Sequence, residues 1–135
     1  MKKPHPFRSA VESRDIEALA ALFVPAATLH SPAVYEPYVG REAIGFLLAV
    51  LLDVFEDFRY TDEFDAEDGS HALLFRTRVG NREIQGLDVL RFDDDGRITD
   101  LTVMIRPRSG LEAVISAVAP RLEAARTAAG HESSN

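Results

Sequence analysis

The sequence predicts an α+β domain in which helices pack on one face of an antiparallel sheet. Apolar residues recur at helical spacing up to Phe55, the period changes to two from Asp57 onward, and helical spacing returns after Ser109. Helices followed by consecutive antiparallel strands and a last helix are typical of this fold class. The chain has 135 residues, 46% of them apolar, which suffices for one domain with a single core.

The first elements are predicted to be two short helices. One runs from about Pro6 to Ser13, and the other lies between Asp15 and Phe23. Asp15 is the expected N-cap of the second helix, because its carboxylate can accept a hydrogen bond from a free amide of the first turn. The stretch "ATLHSPAV" then alternates and is broken by Pro32, which is typical of a short strand that runs into a loop.

The apolar block "AIGFLLAVLLDVF", from Ala43 to Phe55, is predicted to be a buried helix. It is shorter than the roughly 20 residues that a membrane span needs, and it contains Asp53. Four extended runs follow, separated by turn signals at Asp68-Gly69, Gly80-Asn81 and Asp95-Gly96. We interpret these runs as an antiparallel meander.

The chain is predicted to return to a helix at "SGLEAVISAV", where Ser109 and Glu112 have the spacing of a capping box. The apolar face of this helix consists of Leu111, Val114, Ile115 and Val118. Small and polar residues from Thr127 onward predict a flexible tail. The predicted domain therefore spans residues 1–126 and the tail residues 127–135.

Composition and charge exclude several classes of partner. A net charge of −7 is repelled by phosphate backbones and anionic lipids, so neither nucleic acid nor a membrane is expected as a partner. The absence of cysteine excludes disulfides and thiolate chemistry. The opening residues lack the apolar run of a signal peptide, which predicts a cytoplasmic location. Neither the scattered histidines nor the acidic turn "DDDG" has metal-site spacing, so no metal or cofactor is implied.

The residue that suggests a function is Asp88, an acid within an apolar strand. Even-numbered residues between Ile84 and Phe92 share one face of that strand, so Asp88 lies beside Leu90 and Phe92. Neighbouring runs supply apolar rows of their own: Leu73, Phe75, Thr77 and Val79 on one, and Leu101, Val103 and Ile105 on the other. If these rows line a concave face, Asp88 is a carboxyl group in a hydrocarbon enclosure.

Two interpretations of Asp88 are open at this point. Full burial raises the pKa of a carboxyl group by up to roughly 3–5 units, and a neutral carboxyl can donate a hydrogen bond to a developing oxyanion. This is the functional interpretation. In the structural one, an arginine from the helices or backbone groups of a bent sheet hold the carboxylate.

Three blocks, "RDIEALAALFVPAATLHSP", "PYVGREAIGFLL" and "GLDVLRFDDDGRITDLTVM", carry a resemblance to a known family. Over about Phe7 to Pro107 the chain resembles the SnoaL-like branch of the nuclear transport factor 2-like and ketosteroid isomerase-like superfamily. The resemblance implies a cone-shaped, curved antiparallel sheet packed against helices around a deep pocket, the cystatin-like fold. It also implies a homodimer through the outer sheet face, which would present Leu87, Val89 and Met104.

The resemblance also assigns positions in the pocket. Asp88 matches the oxyanion-hole acid of ketosteroid isomerases. Ser31 replaces their general-base aspartate, Phe7 their oxyanion tyrosine, and Phe23 and Leu48 two supporting tyrosines. An unassisted serine is not a usable base and phenylalanine donates no hydrogen bond, so ordinary steroid isomerisation is not expected.

Two further positions bear on catalysis. In the epoxide hydrolases of the superfamily a second carboxylate stands where this chain has Val103, so that activity is not expected either. His30 is a candidate base, because an imidazole titrates near neutral pH. Strand alternation, however, predicts that His30 faces away from the pocket if Leu29 and Ser31 face it.

Three hypotheses about function follow. The first is a binding protein whose hydrophobic pocket holds a small apolar ligand, polycyclic or acyl, with Asp88 as its polar anchor. The second is an isomerase or cyclase in which protonated Asp88 polarises a carbonyl, and His30 or ionised Asp88 moves a proton. The third is a non-catalytic dimerisation module. The expected ligand-binding residues are Phe7, Phe23, Ser31, Leu48, Phe75, Leu90, Phe92, Leu101, Val103 and Ile105.

Overall fold

The computed structural model describes residues 5–133, with side chains up to residue 128. Over this range the chain forms an α+β fold, which confirms the predicted class. The helices are α1 (Pro6–Glu12), α2 (Ile16–Ala21), α3 (Arg41–Val54) and α4 (Arg108–Ser133). The strands are β1 (Phe23–His30), β2 (Tyr38–Val39), β3 (Glu56–Asp65), β4 (His71–Val79), β5 (Arg82–Phe92) and β6 (Ile98–Arg106).

The strands form one six-stranded, curved sheet in the order β2-β1-β6-β5-β4-β3. Strands β3 to β6 are consecutive and antiparallel, which confirms the predicted meander. Strand β1 differs from the prediction, because it pairs in parallel with β6. The connection between them includes α3 and four strands, and a connection of that length permits parallel pairing. The sheet is therefore mixed.

The predicted inner face of the meander is confirmed by burial. Ile84, Asp88 and Leu90 of β5 are buried, and so are Leu101 and Val103 of β6. These residues pack beneath the helices. The residues that alternate with them, on the other face of each strand, are half-buried or exposed. The core consequently lies between the inner sheet face and α1 to α4.

The helices before the sheet follow the sequence prediction closely. The Asp15 carboxylate accepts a hydrogen bond from the Ala18 amide at 3.1 Å, as expected of an N-cap. Helix α2 ends earlier than predicted, because Phe23 is already the first residue of β1. Helix α3 is buried around most of its circumference. No helix in residues 5–133 is long and apolar enough to cross a membrane.

Strand β3 contains an irregularity that determines which side chains reach the core. Its register with β4 shifts between Tyr60 and Asp62, so Thr61 is an extra residue in the pairing. Tyr60 pairs with Phe75 on the inner face, whereas Phe64, also even-numbered, pairs with Ala72 on the outer face. The simple alternation predicted from Asp57 onward therefore fails across this bulge.

Helix α4 corrects the prediction about its own N-terminus. The Leu111 amide bonds to the Pro107 carbonyl at 3.0 Å, so the first turn closes on Pro107 and Ser109 lies inside the helix. Ser109 is thus not the predicted N-cap. Residues 127–133 continue α4, and residues 134–135 of the predicted tail lie outside the described residues. The boundary at residue 126 stays a prediction.

Candidate functional site

The buried acid predicted from the strand pattern is present in the centre of the sheet. Asp88 is 7% exposed and lies on the inner face of β5. Its cross-strand neighbours are Leu73 of β4 and Val103 of β6, both buried. Three adjacent strands therefore place the carboxyl group among hydrocarbon side chains.

The side chain that contacts Asp88 is a tyrosine that the sequence analysis did not single out. The Tyr60 hydroxyl donates a hydrogen bond to Asp88 Oδ2 at 3.4 Å, and both groups are buried. This distance is at the long end for an O–H···O hydrogen bond, so the interaction is weak. Within residues 5–133 no arginine forms an ion pair with Asp88, which removes the arginine-pairing alternative.

Burial controls the protonation of this pair. Removal from water raises the pKa of Asp88 to about 7, and the hydrogen bond from Tyr60 opposes that rise. Burial also raises the pKa of Tyr60 well above its ordinary value, and the charge of Asp88 adds to the effect. Tyr60 is consequently a permanent donor, whereas Asp88 exists in both protonation states near neutral pH.

A small cavity lies directly beside Asp88. Its volume is about 30 Å³, close to the space that one water molecule occupies in the liquid. The polar side chains in its wall are those of Tyr60 and Asp88. The remaining wall residues are Phe7, Val11, Leu19, Leu48, Leu51, Leu52, Phe55, Phe58, Phe75 and Val103.

A larger cavity lies under α4, next to β6, α3 and the loop that follows β1. Its volume is about 170 Å³. Ser31 and Tyr38 are its polar residues, and the Ser31 hydroxyl already accepts weak hydrogen bonds from the amides of Ala33 and Val34 at 3.3 Å. The rest of the wall is hydrocarbon: Leu29, Pro32, Ala33, Val34, Leu47, Leu51, Val103, Ile105, Leu111, Val114, Ile115, Val118, Ala119 and Leu122.

The single deep pocket expected from the sequence is therefore divided in this structure. Asp88 lines the small cavity and not the large one. Leu51 of α3 and Val103 of β6 line both, so their side chains separate the two spaces. Whether a ligand can use both spaces depends on these two residues.

The ten predicted ligand-binding residues divide into four groups. Phe7, Leu48 and Phe75 line the small cavity, Ser31 and Ile105 line the large one, and Val103 lines both. Four line neither cavity: Phe23, Leu90, Leu101 and Phe92. The first three of these four are fully buried packing residues, and Phe92 packs on the ring of His5 at the far end of β5. Sharing the inner face was thus not sufficient to reach a cavity.

The second catalytic candidate, His30, lies on the opposite side of the sheet. Leu29 is completely buried, whereas the side chain of His30 is 44% exposed and its Nε2 is 2.8 Å from Asp100 Oδ1. Asp100 also accepts a hydrogen bond from Thr28, which is on the same outer face. The prediction that His30 moves a proton at the Asp88 site is therefore wrong, because the sheet separates the two side chains.

Arg8 of α1 contacts the ring of Tyr60 from outside the small cavity. Its guanidinium carbon is 5.6 Å from the ring centroid, within the range of a cation–π contact. Arg8 also forms an ion pair with Glu63, and Glu63 Oε2 is 3.3 Å from His71 Nε2. Tyr60 lies on the inner face before the bulge, and the bulge at Thr61 brings Glu63 to the same face, where simple alternation does not predict it. Among the described side chains, those of residues 5–128, no group of three His, Asp or Glu could hold a metal ion.

The curved sheet, the packed helices and the acid enclosed between them define a protein of the nuclear transport factor 2-like, cystatin-like fold. A model of the SnoaL-like domain matches residues 6–101, most of the chain. The chain belongs to the SnoaL-like family. No curated protein matches it.

Three solved structures illustrate the relationship. A steroid delta-isomerase from Pseudomonas aeruginosa is 41% identical, with a TM-score of 0.85 over 90% of this chain and 89% of the other. An uncharacterized bacterial protein with a cystatin-like fold from Silicibacter pomeroyi DSS-3 is 27% identical, with a TM-score of 0.82 over 88% and 86%. The epoxide hydrolase/cyclase-like enzyme SalBIII shares the fold at 20% identity, with a TM-score of 0.61 over 77% and 86%.

Proposed function

We propose that this protein binds a small apolar molecule through a carbonyl oxygen, with the Asp88 carboxyl and the Tyr60 hydroxyl as hydrogen-bond donors. The observation that carries the proposal is a buried carboxyl group beside a cavity, with a phenol as its hydrogen-bond partner. Polar groups buried in hydrocarbon are costly unless they are paired. A bound carbonyl oxygen would accept a hydrogen bond from the neutral Asp88 carboxyl and another from the Tyr60 hydroxyl, which would exchange its long bond to Asp88 for one to the ligand. Because the pKa of Asp88 is about 7, the neutral, donating form is available at physiological pH.

Catalysis by the same site is the second candidate. It is supported by the relative of 41% identity whose name is steroid delta-isomerase. An isomerase or cyclase would use protonated Asp88 and Tyr60 to stabilise an enolate, and would need a base to move a proton. The small cavity offers none besides ionised Asp88, because Tyr60 is a permanent donor and the remaining wall residues are apolar. Binding is therefore the function that the geometry supports best.

The proposal predicts pH-dependent binding of a simple ketone such as cyclohex-2-en-1-one. If only neutral Asp88 binds the carbonyl, raising the pH from 5.5 to 8.5 weakens the apparent affinity by up to about 30-fold, since the affinity scales with the protonated fraction. Asp88→Asn retains an N–H donor that does not titrate, so its affinity should be independent of pH. Protein NMR titrations at both pH values give the two dissociation constants.

Asp100→Asn is the matched control, because it alters an acid on the outer face of the neighbouring strand. It should keep the pH dependence of the unaltered protein. A ketone affinity that does not change with pH in the unaltered protein, and that survives Asp88→Leu, would remove Asp88 from the site.

We also infer that the outer sheet face forms a homodimer interface. Leu74, Leu87 and Met104 are paired in register across β4, β5 and β6 and form an apolar row. A second row contains Phe64, Ala72 and Val89. Met104 and Phe64 are 55% and 54% exposed, and a contiguous apolar patch on a sheet face is a common interaction surface. A purely dimeric, non-catalytic role would need only this face.

A further inference from the structure

The geometry points to a single binding site of two compartments, and to a ligand with one ring or a short chain that inserts a terminal carbonyl past Leu51 and Val103. The assignment rests on the proposed function and adds the class of ligand. The large cavity is its compartment for the apolar body, and the small cavity is its compartment for the carbonyl group.

The first step is the position of the wall between the compartments. Val103 pairs with Asp88 across β5 and β6, so its side chain stands next to the carboxyl group on the inner face. Directly opposed residues have Cβ atoms roughly 4.5–5.5 Å apart. A ligand atom that passes Val103 is therefore within hydrogen-bonding reach of Asp88. Leu51, which is half-buried on α3, closes the other side of the passage.

The second step is size. An engineered cavity of about 150 Å³ accommodates benzene, whereas pockets for drug-sized ligands measure about 300–1,000 Å³. The large compartment, at about 170 Å³, therefore matches one ring with a small substituent, or a short chain. The small compartment, at about 30 Å³, matches a carbonyl group and no more. A four-ring ligand does not fit in these volumes.

The third step is the packing of α4, which covers the large compartment. Val114 and Val118 of α4 are buried against the compartment, so the helix cannot move without exposing them. At its beginning, α4 lies so close to the sheet that a Cβ on Gly110 would be 2.8 Å from Ile84. The large compartment therefore cannot expand toward α4 without breaking this packing. On its other side, at Val34 and Ile115, the compartment is open to the surface, where a ligand can enter.

The fourth step is polarity. The walls of the large compartment contain hydrocarbon apart from Ser31 and Tyr38, and they carry no ionisable acid or base. The donors lie at the far end, on Asp88 and Tyr60. A ligand that matches this distribution has an apolar body and one acceptor oxygen at its leading end.

Four probes test the assignment: cyclohex-2-en-1-one, 4-propylcyclohexanone, propylcyclohexane and androst-4-ene-3,17-dione. NMR titrations with the unaltered protein at pH 5.5 give the affinities. We expect 4-propylcyclohexanone to bind tightest, roughly ten-fold better than the hydrocarbon that lacks the oxygen. The steroid should bind more weakly than 4-propylcyclohexanone. Nuclear Overhauser contacts from this ketone should reach the methyl groups of Leu51 and Val103.

Val103→Leu provides the variant test, because its longer side chain obstructs the passage while preserving an apolar wall. We expect 4-propylcyclohexanone to lose its advantage over propylcyclohexane, whereas the hydrocarbon still binds in the large compartment. Met104→Leu is the control, since it changes the adjacent, outward-facing residue of β6. If Val103→Leu does not fold, the probe series and the methyl contacts of the unaltered protein decide alone.

The possible failures are distinguishable. Tighter, Asp88-dependent binding of the steroid would overturn the two-compartment assignment and leave the proposed function standing. Ketones that bind no better than propylcyclohexane, at either pH, would overturn both.

Discussion

At the scale of single residues, the chemistry of the site depends on two buried groups, Asp88 and Tyr60, each of which shifts the pKa of the other. Loss of hydration raises the pKa of Asp88 and favours its neutral form, whereas its one long hydrogen bond, from Tyr60, opposes that rise. Tyr60 is on β3, next to β4, and reaches Asp88 across the width of that strand. Neither residue needs a charged partner to account for its protonation.

The free energy of unfolding should depend on pH, because the pKa of Asp88 is raised in the folded protein. Between pH 4 and 7 the folded protein binds a proton that the unfolded chain has released, so this group destabilises the fold as the pH rises through that window. At about 1.4 kcal/mol per pKa unit, Asp88→Asn should be more stable than the unaltered protein at pH 8 by roughly 4 kcal/mol. Urea unfolding at pH 4 and pH 8 measures the difference, which should vanish at the lower pH.

The same experiment with Asp100→Asn provides the comparison. Asp100 lies on the outer face and bonds to Thr28 and His30. Its replacement should not reproduce the gain at pH 8. An Asp88→Asn variant that is equally destabilised at both pH values would show that Asp88 is ionised throughout.

Tyr60→Phe should move the titration of Asp88 upward. The hydrogen bond from Tyr60 lowers the pKa of Asp88, so its removal leaves burial unopposed. Carbon-13 NMR of the Asp88 carboxyl group, recorded against pH, gives the midpoint directly. Tyr35→Phe alters a hydroxyl on a fully solvent-facing loop residue and should leave that midpoint unchanged.

At the scale of elements, the small cavity depends on a close approach between β4 and β5. Phe75 pairs with Gly86, and its ring occupies the space where a side chain at position 86 would begin. A Cβ built on Gly86 would lie 2.0 Å from Phe75 Cζ. Since Phe75 also lines the cavity beside Asp88, the glycine determines where that wall stands.

Gly86→Ala is therefore expected to destabilise the domain by roughly 1–3 kcal/mol, as overpacking of a tight core does. Urea unfolding measures the change. The double variant Gly86→Ala with Phe75→Leu removes the ring and should recover part of the loss, so that the two effects are not additive. Additive losses would mean that the clash is relieved elsewhere.

At the scale of the whole molecule, one sheet separates two surfaces with different roles. The inner face and the helices enclose the two compartments, whereas the outer face displays the apolar rows that we assign to a dimer. His30 and Asp100 belong to the outer surface. Changes on one face should therefore leave the chemistry of the other intact.

Leu87→Lys should convert a dimer into a monomer, because it places a charge in the middle of the apolar row formed with Leu74 and Met104. Sedimentation velocity at micromolar concentration measures the change. Thr61→Lys, at the exposed bulge of the edge strand, is the control. An unaltered protein that sediments as a monomer would exclude the interface, and ketone binding should persist in Leu87→Lys.

Local patterns in the sequence were sufficient to locate the buried acid. Alternation along β5 and β6 placed Asp88 and Val103 on the inner face, and the turn signals delimited the meander. The direction in which His30 points also followed from alternation, given that Leu29 is buried. Each of these features depends on neighbours within a few residues along the chain, and such periodicity is readable from the chain itself.

Only the tertiary structure determined which side chains contact Asp88 and how large the cavities beside it are. Tyr60 reaches Asp88 across β4, a neighbour that only the assembled sheet provides, and the bulge at Thr61 then brings Glu63 to the same face. The division of the pocket depends on Leu51 and Val103, which come from a helix and a strand far apart in the sequence. Cavity volumes are small differences between closely packed side chains of several elements, so they arise only when those elements have been assembled.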